Sequence, residues 1–442
     1  MDRNMLDVGR AIDDGPYTLM QKLVVVLAAL AIVMDGFDGQ LIGFAIPAIM
    51  KEWGIARGAF SPAVAAGLVG MAIGSASAGL CADRYGRRLA IVGSVLLFGA
   101  ATCAIGFAKD VGDIAILRLI AGLGIGGALP SATTMSAEFT PARRRTMAVT
   151  VTIVCVPLGG MLAGLYSSVV LSASGWRGLF FIGGALPLVL GVLLLLALPE
   201  SPRFLVRRPA RWEELAKLMA RMERPTAQHT VFSDPGEQQS ERRGGFGGLF
   251  AQGKARDTLA IWCAFFMCLL AVYSAFSWLP SMLVAAGLDV SLAASGLTAY
   301  NLGGVVGALG CAVAITRFGS RWPLALCCAG GAASALLLQS VDVGERTGLL
   351  IFGLGVHGMC VNAVQSTMYA VCAFIYPTGM RATGTAGALA FGRFGAVFSA
   401  FIGAAVITAG GASAYLAMLS LAMLGVLAAL LLVRGHIPPR PA

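Results

Sequence analysis

The chain is 442 residues long, 57% hydrophobic and only 12% charged, with a mean hydropathy of +0.81. A soluble domain carries about 25% charged residues, so a water-surrounded enzyme or binding module is excluded. The formal net charge of +10 invites a nucleic-acid reading, which the placement of the basic residues removes below.

Twelve apolar runs, each long enough to cross a hydrocarbon core of about 30 Å, fall at 22–47, 60–81, 89–107, 112–136, 147–171, 178–198, 258–286, 293–315, 322–341, 348–374, 383–409 and 413–433. They predict an all-α membrane protein of twelve transmembrane helices. Residues 1–198 are expected to form one six-helix bundle, 199–257 a cytoplasmic linker, and 258–442 a second six-helix bundle. The segment before Lys22 is polar and acidic, and no cleavable signal peptide is expected.

Inside the first run, Val33-Met-Asp-Gly-Phe-Asp-Gly39 places Asp35 and Asp38 at mid-membrane. A carboxylate there costs roughly 2.5–3.5 kcal/mol and normally faces a water-filled or protein-lined cavity. At i, i+3 spacing the two share one helical face. Burial and a second acid nearby both disfavour charge, as a carboxyl that takes up and releases a coupling proton requires. Ion-paired packing is the plainer alternative. Gly36 and Gly39 leave room for a bend or a close approach.

After the second run comes Gly79-Leu-Cys-Ala-Asp83-Arg84-Tyr-Gly86-Arg87-Arg88, and after the fourth Glu138-Phe-Thr-Pro141-Ala-Arg-Arg-Arg145. Asp83, Arg84, Arg87 and Arg88 are expected to form a cytoplasmic gating network holding the inward-closed arrangement, with Glu138 and Arg145 as further gating positions. Arg118 lies within the fourth run, either making a structural hydrogen bond or modulating the acid pair. The longest polar stretch opens with Pro199-Glu-Ser-Pro-Arg203. A short helix is expected at Arg211–Arg224 and a flexible Gly/Gln/Arg-rich section at Ser233–Gly248.

In the seventh run Tyr273, Phe276 and Trp278, and in the eighth Tyr300 and Asn301, can stack on and hydrogen-bond an aromatic solute, though such residues also serve as packing. His357 is the sole intramembrane histidine, a core side chain bonded to a backbone carbonyl or a contact for substrate or proton. Asn362, Gln365 and Tyr369 fall within about 60° of one another on a helical wheel and are expected to face the cavity. Arg381 sits at the cytoplasmic mouth of the eleventh run, mirroring Arg145, and is read as a gating residue. Arg393 lies roughly 15 Å deep in the same run. A guanidinium cannot shed its charge and its fork matches a carboxylate, so either an anionic substrate or a permanent acid partner is required.

The two halves echo each other. Thr316-Arg317-Phe-Gly319-Ser-Arg321, after the eighth run, repeats the 79–88 segment. Phe374-Ile-Tyr-Pro377-Thr-Gly-Met-Arg381, after the tenth, repeats the 138–145 segment at a similar offset. Parallel six-span repeats imply a binding site near midplane, between halves that rock around it. An even span count puts both termini on one side, and 25 of the 32 Lys and Arg then fall there. By the positive-inside rule that side is the cytoplasm. The basic surplus reports topology rather than nucleic-acid binding. The ten cysteines are scattered and the three histidines isolated, so no metal centre, cofactor or nucleophilic triad is expected.

Gly79-x-x-x-Asp83-Arg84-x-Gly86-Arg87-Arg88, with Arg118-x-x-x-Gly122-x-Gly124 in the fourth run, resembles the loop and span signatures of the major facilitator superfamily. Three further features resemble its aromatic acid:proton symporter family. They are Asp35-Gly-Phe-Asp38, Leu198-Pro-Glu-Ser-Pro-Arg-Phe-Leu205, and Arg381-Ala-Thr-Gly384 leading to Gly392-Arg393-Phe-Gly395. Pro-Glu-Ser-Pro-Arg is also a habit of sugar porters, but the seventh run lacks glutamines for sugar hydroxyls and Thr316 replaces that family's acid. Val156-Pro157-Leu-Gly159-Gly160 departs from the Gly-Pro-x-x-Gly-Gly of efflux antiporters. The resemblance implies a monomer of the bacterial inner membrane that imports aromatic carboxylates such as hydroxybenzoate by proton symport. Sugar or other organic-acid symport and multidrug antiport stay as alternatives.

Overall fold

The computed structural model describes residues 5–225, 231–234, 249–250, 254–341, 346–376 and 381–439, with the side chains at 373 and 381–383 outside that set. Ten helices are long and apolar enough to cross a membrane. In chain order they are α2 (Leu19–Trp53), α3 (Ser61–Tyr85), α4 (Arg87–Ile105), α5 (Val111–Phe139), α6 (Ala142–Ala197), α9 (Ala255–Ala285), α10 (Val290–Phe318), α11 (Arg321–Leu338), α12 (Thr347–Ile375) and α13 (Arg381–Leu432). Short α1 (Val8–Asp14), α7 (Pro202–Val206) and α8 (Trp212–Arg221) lie outside them.

Helix α6 has 56 residues and α13 has 52, far more than the 20 or so that cross a bilayer. Each is broken once by a glycine in left-handed φ, Gly175 (φ 66°, ψ −173°) and Gly411 (φ 64°, ψ −151°). Each is long enough for two crossings, one on either side of its glycine, so the ten helices are consistent with the expected twelve. Leu195, Leu196, Leu336 and Leu337 are exposed, as lipid-facing residues are. The chain is a multi-pass membrane protein.

Local chemistry sets the helix ends. Thr18 and Gln21 form a capping box at the start of α2, and Gly54 ends that helix at φ 64°. The carboxylates of Asp110 and Asp289 cap α5 and α10. Helices α2 to α6 pack on one another, as do α9 to α13, and the two sets meet where α6 packs on α10, α3 on α13 and α2 on α9. Small residues let membrane helices approach closely. A Cβ on Gly36 would lie 2.1 Å from the Val156 carbonyl oxygen, and one on Gly159 would lie 2.0 Å from that of Val33. Glycine is obligatory where α2 crosses α6.

The described hydrogen bonds between the two sets lie between midplane and the side opposite the termini. Gln40 and Asn301 exchange amide hydrogen bonds there, and Arg57 Nη2 donates to the Ser281 carbonyl at 3.4 Å. Gly43 abuts the Phe276 carbonyl, and Gly164 the Thr298 hydroxyl, on the same level.

On the terminal side the structure adds an element the sequence did not announce. Strand β1 (Met5–Asp7) pairs in parallel with β2 (Val231–Ser233), so the segment expected to be flexible from Ser233 begins as a strand, while 235–248 lies outside the described residues. Arg224 Nη2 donates to the Pro16 carbonyl at 2.9 Å, and Asp13 pairs with Arg145. The helix expected at 211–224 ends at Arg221, just before Glu223 takes a φ of 63°.

Candidate functional site

A cavity with about 790 Å³ of empty space opens between the two helical sets. One wall is α2, α5 and α6, which contribute Asp35, Gly39, Gln40 and an apolar surface that includes Ile125, Ile153 and Pro157. The facing wall is α9, α12 and α13, which contribute Tyr273, Phe276, Gln365, Ser366, Tyr369 and Arg393. A lining that mixes apolar, aromatic and a few convergent polar groups suits small organic ligands. Arg393 stands twelve residues into α13, about 18 Å from the start of that helix.

Arg393 Nη1 donates to the Tyr273 hydroxyl at 2.8 Å, and its guanidinium stacks 5.7 Å above the same ring. Among the described residues no carboxylate lies within 4.0 Å of it. The permanent Asp–Arg pair weighed from sequence is absent from that set in this arrangement. Asp35, on the same cavity, is near enough to interact electrostatically without contact. The cation is thus braced by a phenol and left open to an incoming anion.

The two aspartates part company. Asp35 lines the cavity and is 6% exposed, whereas Asp38 is 0% exposed and turned into the first bundle. Its carboxylate oxygens are buried, with the Arg118 charge and the Thr102 hydroxyl as their polar neighbours. Arg118 spends its own donors on backbone, Nη1 reaching the Asp38 carbonyl at 3.5 Å and Nη2 the Gly39 carbonyl at 3.3 Å. The structural hydrogen bond weighed for Arg118 therefore exists, alongside its charge near Asp38.

Five residues singled out for substrate contact do not reach the cavity wall. His357 Nδ1 donates to the Gly331 carbonyl at 3.0 Å, with the Ser334 hydroxyl 3.1 Å away, so it joins α12 to α11. Trp278 is fully buried against Gly403. Tyr300 is fully buried, its ring between Phe276 and His357. Asn362 Nδ2 donates to the Gly358 carbonyl at 3.1 Å and packs on Gly304. At that level α10 and α12 are pressed together, a Cβ on Gly307 falling 2.0 Å from the Met359 carbonyl oxygen, which shuts Asn362 out while Gln365 and Tyr369 stay on the wall. Asn301 lies behind Gln40. Conversely Gln40 and Ser366 line the cavity without having been anticipated.

The described residues expected to gate lie in the first half and its following segment. Arg87 pairs with Asp83 at 2.9 Å and with Glu138 at 3.6 Å, and Ser201 hydrogen-bonds Glu138. Glu200 Oε1 accepts from the backbone N–H groups of Arg87, Arg88 and Ser201 at 2.9, 3.2 and 2.8 Å. Gly86 has a φ of 107° and abuts that carboxylate. Arg88 Nη2 donates to the Leu195 carbonyl, Arg145 Nε to the Ala137 carbonyl, and Arg84 stacks on Tyr85. None of these described contacts bridges the halves, so the network fastens the end of α3, the start of α4, the end of α5 and the segment after α6 to one another. The Arg381 side chain lies outside the described residues.

A two-set helical fold around a central cavity with an intramembrane acid and a cavity-facing arginine defines a solute carrier. The Major Facilitator Superfamily profile matches residues 28–313 and 261–442, and the chain belongs to that superfamily. It is a secondary transporter and not an enzyme. Over 92% of its length it is 35% identical to a gallate transporter of Pseudomonas putida, covering 90% of that protein. It is 36% identical, over 92% of its length and 89% of the relative, to the 4-hydroxybenzoate transporter PcaK of Acinetobacter baylyi. Among solved structures it resembles the inward-open xylose transporter XylE of E. coli, with a TM-score of 0.74 and 20% identity, covering 94% of this chain and 96% of that one.

Proposed function

We propose that the protein imports aromatic carboxylates of the hydroxybenzoate type by proton symport. It would work as a monomer in the bacterial inner membrane, with both termini cytoplasmic and with 1–198 and 258–442 rocking about the cavity on the 199–257 linker. The observation that carries this reading is Arg393, open to the cavity, braced by Tyr273 and free of any acid within 4.0 Å among the described residues. A buried fork of that kind takes a carboxylate bidentately, and Tyr369, Phe276 and the apolar wall accept a ring. The named relatives carry gallate and 4-hydroxybenzoate.

Asp35 is the proton carrier in this reading, and Asp38 with Arg118 sets the charge behind it. An anion entering a negative-inside cell works against roughly 2.3 kcal/mol per 100 mV. Protonation of Asp35 cancels the solute's charge, so one proton per monoanion makes the loaded carrier electroneutral. Uptake of radiolabelled 4-hydroxybenzoate, gallate, benzoate and glucose into cells, with and without a protonophore, tests the reading. Protonophore-sensitive accumulation of the aromatic acids and not of glucose is expected. Glucose accumulation, or aromatic accumulation untouched by the protonophore, overturns it.

A further inference from the structure

Gln40 has two roles in the structure that are not independent. Its side chain lines the cavity, and its amide is committed across the interface between the halves. Gln40 Nε2 donates to Asn301 Oδ1 at 3.1 Å, and Asn301 Nδ2 donates back to Gln40 Oε1 at 2.7 Å. Asn301 Nδ2 also donates to the Leu297 carbonyl of its own helix at 2.9 Å, which fixes its rotamer. Both side chains are buried, at 2% and 0% exposure. Behind Gln40 there is no space for retreat, since a Cβ on Gly160 would already collide with its amide. The side chain can turn only toward the cavity or toward Asn301.

Gln40 and Arg393 line the same cavity from facing walls, so a ring held by its carboxylate at Arg393 presents its far end toward the wall that carries Gln40. Unmade hydrogen bonds in a buried site are costly, and exchanging one partner for another is nearly neutral. A solute whose carboxylate is held at Arg393 and whose far end carries a hydroxyl can therefore replace Asn301 as the partner of the Gln40 amide.

Resting on the aromatic-acid reading above, we propose that Gln40 is the specificity-determining residue for a ring hydroxyl distal to the carboxylate. Its reciprocal pair with Asn301 is a latch, closed on the side opposite the termini, that such a substrate releases. Loss of either amide opens the latch, but only loss of Gln40 removes the reading of the hydroxyl.

The test compares Gln40→Leu, Asn301→Ala and the exchanged pair Gln40→Asn/Asn301→Gln in the full-length protein in cells. One arm measures labelling of a Thr298→Cys reporter by a membrane-impermeant maleimide added outside, after subtracting labelling of the native cysteines. The other measures the ratio of half-saturation concentrations for benzoate and 4-hydroxybenzoate. Both single variants are expected to raise reporter labelling about tenfold. The benzoate-to-hydroxybenzoate ratio is expected to drop by about tenfold in Gln40→Leu and to persist in Asn301→Ala. The exchanged pair should restore low labelling, which separates a broken latch from a misfolded chain. An unchanged ratio in Gln40→Leu, an equal drop in Asn301→Ala, or labelling that neither variant raises overturns the proposal. Failure of the unmodified protein to take up any aromatic acid sinks the functional reading instead, and the labelling arm, which needs no substrate, still decides the latch.

Discussion

Asp35 and Asp38 are one helical turn apart on α2, yet the first borders the central cavity and the second is sealed in the first bundle beside Arg118. At i, i+3 spacing the two side chains stand about 60° apart around the helix, so the edge of the cavity can fall between them. Of the two, Asp35 alone lines the cavity in this arrangement, which is why it is the proton carrier in the proposed mechanism. Asp35→Asn is expected to abolish accumulation against a gradient and to leave counterflow exchange running. Continued accumulation by this variant would remove Asp35 from the coupling step.

The proposed proton symport also fixes a sign for pH. Lower external pH raises the protonated fraction of an outward-exposed Asp35 and steepens the inward proton gradient, so initial uptake should rise as the medium is acidified from neutrality. In Asp35→Asn exchange this dependence should flatten. Both are read from initial rates of labelled uptake across a pH series at fixed ionised-substrate concentration.

Arg393 and Tyr273 form one recognition unit. Arg393→Lys keeps the charge but loses the planar fork and the stack on Tyr273, and should weaken substrate affinity tenfold or more. Tyr273→Phe removes a single hydrogen bond to a charged group and should cost about tenfold. The two effects should be less than additive, because each variant already disturbs the same geometry. A direct binding assay on purified protein measures both single variants and the double variant.

The paired glycines of the first span separate packing from recognition. Gly36→Ala would force a methyl into the Val156 carbonyl and should lower thermal stability or expression, whereas nothing lies within 4 Å of a Cβ on Gly39. Gly39→Ala should fold normally but narrow the cavity, raising the half-saturation concentration most for ring systems with several substituents. Size-exclusion melting curves and uptake kinetics distinguish the two.

Glu200 satisfies three backbone donors at once. Glu200→Ala leaves those groups near the turn at Gly86 without their acceptor and is expected to cost about 2–4 kcal/mol. The loss should appear as a lower melting temperature, with uptake per folded molecule less affected.

The spans were legible because hydropathy is a property of the local chain. Asp35, Tyr273, Gln365, Tyr369 and Arg393 were legible for a related reason, since a polar group in an apolar run stands out. That contrast has two limits. It is blind to apolar wall residues such as Ile153, which look like every other aliphatic in the membrane. It also cannot separate polar groups that serve a cavity from those that tie helices together, and so grouped His357, Asn362, Tyr300 and Trp278 with the wall. Their fate depends on how closely α10, α11 and α12 pack, which is set by glycines meeting carbonyls on other helices. Gln40 stood in plain view beside two aspartates, and no wheel could say that its amide crosses to Asn301. The β1–β2 ribbon joins the N-terminal tail to the linker beyond the whole first bundle, a pairing no periodicity announces.

The two interrupting glycines, Gly175 and Gly411, stand at matching places in the two halves, offset from each other just as Pro141 is from Pro377. At both places the polypeptide reverses through a lone residue on the face remote from the termini. At those two places the chain offers no protruding loop. Epitope insertions belong elsewhere, because one placed at either reversal would pry apart the hairpin it closes.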